Sequence, residues 1–456
     1  MVIINRFFKR YLLISGISLM IYLLYVYQIQ PRNAYMKMEP LDTGFPEICL
    51  WLIWNCITAL LMPSRLEKPS DCFLMTYSLF VVLCGASMWG ASGILDISGG
   101  IVLLVFFTIS LLLYRILVIV LENFLITNVR MIYFLRTSSY AFPLLILLLI
   151  GVAVGALSGQ SGGFDLASSY VRRISGRAHF PTGALTTYLF VMALNGVAPF
   201  MAFLATFRRK PALLIISILF SVYAYWLIGT KAPVLMVGLL AFVGMIFRRS
   251  DGAKIPMRVA MLIFALLAFA LAEFFTTGYS YISDYFIRRA FSVVGQLQAV
   301  YASYILQFFQ GAELLLGSAS ASGQSASLFL GNWYYGNEST NANTNTLLYS
   351  MLQQGLVGWF VAICFISVVF SLMNYLYTQR RTREVMGLAF LYALLLAEQA
   401  YSTAFLSSGI GLLLVLMTLF KLDFRRFGVN RETAELQGPI ASDGSSAASL
   451  KTAIKG

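Results

Sequence analysis

The chain is predicted to be an all-α polytopic membrane protein, with about twelve transmembrane helices and one large loop on the outer side of the membrane. Three observations predict this. Of 456 residues, 59% are hydrophobic and 11% charged, and the mean hydropathy is +0.80, which leaves too few polar groups to cover a soluble globule. Apolar runs long enough to cross a hydrocarbon core of about 30 Å recur along the whole chain. Basic residues gather in every second connection between them, which sets their direction.

The spans fall into three groups. Within residues 1–158 they lie at 11–28, 47–62, 72–90, 99–120 and 141–158; within 183–275 at 183–206, 212–229, 232–247 and 259–275; and within 347–420 at 347–377, 385–405 and 408–420. Arg6, Lys9 and Arg10 precede the first span. The later basic connections are Arg65/Lys68, Arg130/Arg136, Arg208–Lys210, Arg248–Arg258, Arg380–Arg383 and Lys421–Arg431. An even number of spans with both termini cytoplasmic satisfies them all. The first run continues into aromatic residues without a small-residue cleavage site, as a start-transfer span does and a cleaved signal peptide does not. The net charge of +13 therefore belongs mainly to loops facing anionic lipid, not to a nucleic-acid footprint. Cys49, Cys56, Cys72, Cys84 and Cys364 lie in or beside spans without metal spacing and are read as small apolar residues. The tail 421–456 is Ser/Ala/Gly-rich and is expected to be cytoplasmic and disordered.

Two outer segments are long enough to do chemistry: 159–182, and 276–346, the longest extramembrane stretch. The connection 29–46 has mixed charges and is expected to be a surface loop. Arg172, Arg173, Arg177, Lys231, Arg288 and Arg289 all fall outside, where membrane insertion disfavours cations, so an external use for the charge is expected. Arginine suits a diphosphate, because its charge is permanent and its planar fork donates two parallel hydrogen bonds to phosphate oxygens. The pairs Arg172/Arg173 and Arg288/Arg289 either converge on such a group or meet lipid headgroups. Lys231, in a Gly-Thr-Lys turn between two spans, either stands at the outer mouth of the bundle or snorkels to the interface.

In 285–308 apolar residues recur every three or four positions, from Phe286 to Phe308, which predicts an amphipathic helix lying against the bundle or the bilayer interface. Arg288, Arg289 and Gln296 fall near its other faces. From Gly317 to Thr346 the composition turns to Ser, Gly, Asn and Thr around Trp333, Tyr334 and Tyr335. Rings that stack on sugars and amides that bond hydroxyls make this a candidate glycan surface; a flexible polar loop with interfacial aromatics has the same composition.

For a general base, Asp284 stands one turn before Arg288, as a base or as its ion-pair partner. Glu273, Glu313, Glu338 and His179 are further outer or boundary candidates, and Glu398 lies inside a span beside Gln399 and Tyr401. The outer loops contain no Asp-x-Asp pair, His cluster or thiolate set, so no metal and no cofactor is expected, and no Gly-rich phosphate loop occurs in the required context.

Several local patterns, in order, resemble the bacterial O-antigen polymerases, which are oligosaccharide repeat-unit polymerases related to O-antigen ligases. Ile228-Gly229-Thr230-Lys231 resembles that family's Gly-Ser/Thr-Arg turn, with Lys in place of Arg. Arg288-Arg289-Ala290-Phe291, Gly295-Gln296-Leu297 and Tyr301 resemble its arginine-led segment, with Gly295 where Pro is frequent. Asn343-Thr344-Asn345 followed by Gln354-Gly355-Leu356-Val357-Gly358 resembles its Asn-rich approach to a Gly-x-x-Gly span. Ten residues separate Arg172 from Gly183, a spacing that neither Arg288 nor Arg289 repeats, so a symmetrical two-loop arrangement is not expected.

The resemblance implies a GT-C-like architecture in the bacterial inner membrane with the site facing the periplasm. It implies a metal-independent glycosyltransferase that moves a growing glycan from undecaprenyl diphosphate to a new lipid-linked unit. Arg288, Arg289, Lys231 and Asp284 are then the catalytic candidates. Arg172, Arg173, Gln296, Tyr301, Trp333, Tyr334, Asn343 and Asn345 are the substrate-binding candidates. The implied partners are undecaprenyl-diphosphate-linked oligosaccharides, membrane lipid and a chain-length regulator, with no nucleic acid. An O-antigen ligase and a lipid-linked oligosaccharide flippase or transporter are the alternatives. A ligase usually carries a histidine in its large loop, absent here; a flippase needs no long outer loop; and no internal repeat favours a secondary transporter.

Overall fold

A computed structural model describes residues 2–38, 44–89, 93–128, 141–165, 168–180, 184–249, 255–317, 323–337 and 340–420. Among these the chain is helical, without strands. The first group comprises α1 (Phe7–Arg32), α2 (Phe45–Leu61), α3 (Pro69–Met88), α4 (Ile97–Thr127) and α5 (Phe142–Leu157). The short α6 (Ser169–His179) belongs to the first long loop, and α7 (Leu185–Phe207), α8 (Pro211–Ile228), α9 (Ala232–Arg249) and α10 (Ile255–Thr277) follow it. A π-helical stretch, Ser283–Ser292, runs into α11 (Val293–Phe308), and two short helices come next, α12 (Ala312–Leu316) and α13 (Ala326–Tyr335). The chain then returns through α14 (Thr346–Thr378), α15 (Val385–Leu396) and α16 (Ile410–Leu419).

Each expected span coincides with a helix. Among the described residues eight helices are long and apolar enough to cross a membrane, and α2, α5, α15 and α16 are shorter. The connections 62–68, 208–210 and 379–384 meet at one end of the bundle, hereafter the short-connection end. There, cations close helix termini, whose last carbonyls lack intrahelical partners. Arg10 donates to Met62 O (2.6 Å), Arg248 to Thr206 O (3.3 Å) and Arg380 to Thr418 O (2.6 Å). Lys68 pairs with Glu122 at 2.7 Å, and Arg208 pairs with the buried Glu384. Asn374 of α14 reaches both Glu122 (3.1 Å) and Ser70 (3.0 Å), tying α3, α4 and α14 together.

Two expectations change at the opposite, long-loop end. The helix expected over 285–308 lies against the bundle, but with more than one face: residues 295–302 are buried throughout, including Gln296 and Gln298. Period alone marks one apolar face, but the remaining faces are covered by α3 and α14. The last long span is also broken near its start. Gln354 (φ −139°, ψ 20°) and Gly355 (φ 63°, ψ −154°) leave helical geometry, and a side chain at 355 would collide with the backbone of Leu315, so glycine lets α12 pack into the break.

Candidate functional site

The first wall of the site is the tip of the α8–α9 hairpin. Gly229 ends α8 in the left-handed region (φ 68°), and a Cβ there would run into the carbonyl of Ser169. Glycine thus serves both the turn and the close seating of α6 on α8, an approach strengthened by Gly163 N donating to Trp226 O (2.8 Å). Lys231 follows directly, exposed, with its ammonium 5.4 Å from the ring centroid of Tyr285.

The second wall is the π-helical stretch carrying Tyr285. Such wide windings are uncommon and are frequent at functional sites. Arg288 turns inward: its Nε contacts Asp284 Oδ1 (3.1 Å) and donates to Asp284 O (3.0 Å), while Nη1 lies 3.4 Å from Met36 Sδ. Arg289 is open to solvent, with protein on part of its surroundings. Partial burial, then the like charges of Arg288 and Arg173, hold its guanidinium below the ordinary arginine value, and Tyr35 and Asp284 oppose that shift. Arg173 of the first loop and Arg289 of the second are therefore close enough to feel each other.

The third wall comes from the connection 29–46, which its mixed charges predict to be a surface loop. Instead, residues 30–38 form a hook bolted to the site by buried amides. Gln28 exchanges two hydrogen bonds with the backbone of Ser280, both 2.8 Å, and Gln296 donates to Met36 O (3.0 Å) and Lys37 O (3.2 Å). Asn33 donates to Ile29 O at 2.8 Å. The hook presents Arg32, 4.5 Å from the Tyr279 ring centroid, and Tyr35, which is 77% exposed. It also presents Lys37, which holds Tyr334 by its carbonyl and by its ring face at 4.8 Å. Lys37 sits at φ 55°, a strained place for a side-chain-bearing residue and one that surrounding bonds must enforce. The signal that could have exposed this wall is the run of amides, Gln28, Gln30 and Asn33, closing an apolar span.

Two carboxylates adjoin the rim, and both are engaged. Asp284 accepts from Tyr279 Oη (2.9 Å) in addition to pairing with Arg288; Glu273 accepts from Ser280 Oγ (2.6 Å). Burial, then the hydrogen bond to Asp284, pushes the Tyr279 phenol up to about 12. Tyr335 is likewise raised, by burial first and by Tyr334 second, with Arg289 acting the other way.

Other expected site residues lie elsewhere or do other work. Arg172 is buried: it donates to Ser168 Oγ (2.5 Å) and Asp165 O (3.0 Å), pinning the first loop to α6. Gln296 fixes the hook. Tyr301 is buried and donates to Ala342 O (3.0 Å), and Asn345, also buried, caps α14 by accepting from Leu347 N and Leu348 N (3.2 Å each). Trp333 meets Tyr304 edge-on at 5.0 Å and packs α13 onto α11, whereas Asn343 is exposed. These buried polar groups satisfy backbone, which a sequence pattern does not distinguish from ligand binding.

His179 is exposed at the end of α6 with Nδ1 3.0 Å from Ser175 O. Glu313 is exposed on α12. Glu398, at the break between α15 and α16, is reached by solvent although protein encloses it, and Gln399 donates to Ser408 Oγ (3.1 Å). The Arg177 side chain, Gly183, Glu338, Arg130, Arg136 and the tail from Lys421 lie outside the described residues. Among the described residues, no three His, Cys, Asp or Glu side chains gather.

Fold and rim together define a multi-pass helical membrane protein with a cluster of cations and tyrosines at one end. No known family, no curated protein and no solved structure matches the chain.

Proposed function

We propose that the chain is a metal-independent membrane glycosyltransferase that polymerises oligosaccharide repeat units carried on undecaprenyl diphosphate. The growing glycan passes from its lipid carrier to the sugar of a new lipid-linked unit. The observation that carries this reading is that Arg173 lies close enough to act on Arg289 while Lys231 lies over Tyr285, four residues before Arg289, with the hook cations Arg32 and Lys37 on neighbouring rings. Among the described residues two carboxylates adjoin these charges, both engaged, so the described part of the rim carries more cations than carboxylates, a balance that suits an anion. In this reading the short-connection end faces the cytoplasm, all twelve helices span the inner membrane in a GT-C-like bundle, and the cation cluster faces the periplasm.

The reaction breaks the bond between the donor's anomeric carbon and its phosphate oxygen. Undecaprenyl diphosphate leaves with the electron pair, the acceptor hydroxyl oxygen bonds to that carbon, and its proton passes to a base. Charge grows on the departing phosphate, where Arg289, Arg173 and Lys231 stabilise it; one such preorganised contact is commonly worth about 100-fold or more in rate. Arg288 and Asp284 act behind them. With Tyr279 and Arg288 already on its oxygens, Asp284 orients Arg288, and the base is left unassigned.

The test is a gene deletion read on a lipopolysaccharide gel. A ladder shortened to core plus a single repeat unit is expected. Complete loss of O-antigen bands would replace the reading with ligase or flippase, and an unchanged ladder would overturn it.

A further inference from the structure

At the short-connection end several cations are engaged, and the turn after α7 contains one for which no partner is found among the described residues. Arg208 pairs with Glu384. Its neighbour Arg209 has φ 56°, a left-handed conformation that is strained for a residue with a Cβ. That turn aims consecutive side chains in different directions. Arg209 is exposed, and among the described residues no hydrogen bond or ion pair to it is found.

Beside it lies a groove of about 440 Å³ between α7, α8 and α9, within the ~300–1,000 Å³ typical of small-molecule sites. Arg209 and Arg248 line it together with Thr206, above a floor of Ala205, Pro211, Leu214 and Met245. Among the described residues Arg248 spends one donor on Thr206 O, which leaves further guanidinium N–H groups for an anion in the groove it lines. α8 also begins here, at Pro211, and the start of an 18-residue helix adds partial positive charge. Two cations over an apolar floor, where long apolar helices end, match an amphiphile with an anionic head and not a free ion.

We propose that this groove is a binding site for an anionic phospholipid, its phosphate between Arg209 and Arg248 and its first methylenes against Leu214 and Met245. The bound lipid clamps the base of the α8–α9 hairpin whose far tip carries Lys231. This site is independent of the glycan-transfer reading.

The test measures lipid retention and lipid-induced thermal stabilisation of the full-length protein purified in detergent, with phosphatidylglycerol, phosphatidylcholine and inorganic phosphate as probes. The wild type is expected to retain phosphatidylglycerol through mass-spectrometric release and to melt several degrees higher in its presence, with little response to the other two probes. Arg209→Gly is the decisive variant. Glycine accepts the left-handed backbone at no strain, so the lipid-free protein should melt no lower than wild type while retention falls at least five-fold; Arg248→Gln should weaken retention similarly. Undiminished phosphatidylglycerol retention in Arg209→Gly, equal stabilisation by phosphatidylcholine, or equal stabilisation by inorganic phosphate alone would each overturn the proposal.

Discussion

Cations at the two ends of this bundle have different companions. At the short-connection end, Arg10, Lys68, Arg208, Arg248 and Arg380 each reach a carbonyl or carboxylate, and the result is closure of helix termini. At the long-loop end, Arg32, Lys37 and Lys231 lie over aromatic rings, and Arg289 faces Arg173. The first set holds the fold. Among the described residues the second set is not paired with carboxylates, so position in a topology says less about a cation's role than what it touches.

The largest effect should come from breaking the first set. Arg208→Ala leaves Glu384, whose side chain is 1% exposed, without its partner, and is expected to cost about 3–5 kcal/mol. Arg208→Ala combined with Glu384→Gln should recover most of that loss in thermal melts; a double variant as unstable as the single one would show that the pair is incidental. At the other end, Arg289→Ala should lower polymer formation by about 100-fold or more while the protein inserts and melts normally. Full-length glycan from that variant would remove Arg289 from the machinery.

Adjacent arginines sharpen the contrast. Arg172→Ala strips hydrogen bonds from Ser168 and Asp165 and is expected to destabilise by about 1–3 kcal/mol, whereas Arg173→Ala should stay within about 0.5 kcal/mol of wild type and lose anion affinity. Identical melting curves for the two would erase the distinction. The smallest effect is a pH dependence. Tyr279 keeps its proton to about 12 in the fold, against about 10 in an unfolded chain, so its contribution to stability is complete below the unfolded value and lost as pH rises through the folded one. Tyr279→Phe should remove that part of the alkaline loss, and an unchanged alkaline profile would contradict the bond to Asp284.

Much of the long-loop end was legible because charge on the wrong side of a span is conspicuous. Arg173, Lys231 and Arg289 stand out that way, and Gly229 before Lys231 marks the turn that seats α6. Arg172 stands out equally and is structural, since adjacent residues on a helix point about 100° apart and only packing decides which one is buried. The hook was illegible for another reason. Its shape depends on Gln28 meeting Ser280 and Gln296 meeting Met36, contacts between segments more than 250 residues apart that no local pattern encodes. The same limit hid α11, whose polar Gln296 serves backbone inside the protein where periodicity placed it outward.

The cations gathered at the long-loop rim are proposed to hold a lipid diphosphate. Equilibrium binding of an undecaprenyl-diphosphate-linked saccharide to purified wild type and to the Arg173→Ala, Arg289→Ala double variant tests it most directly. Tight binding by the wild type, weakened at least 50-fold in a double variant that melts normally, is the predicted result; equal affinity in the two proteins would contradict it.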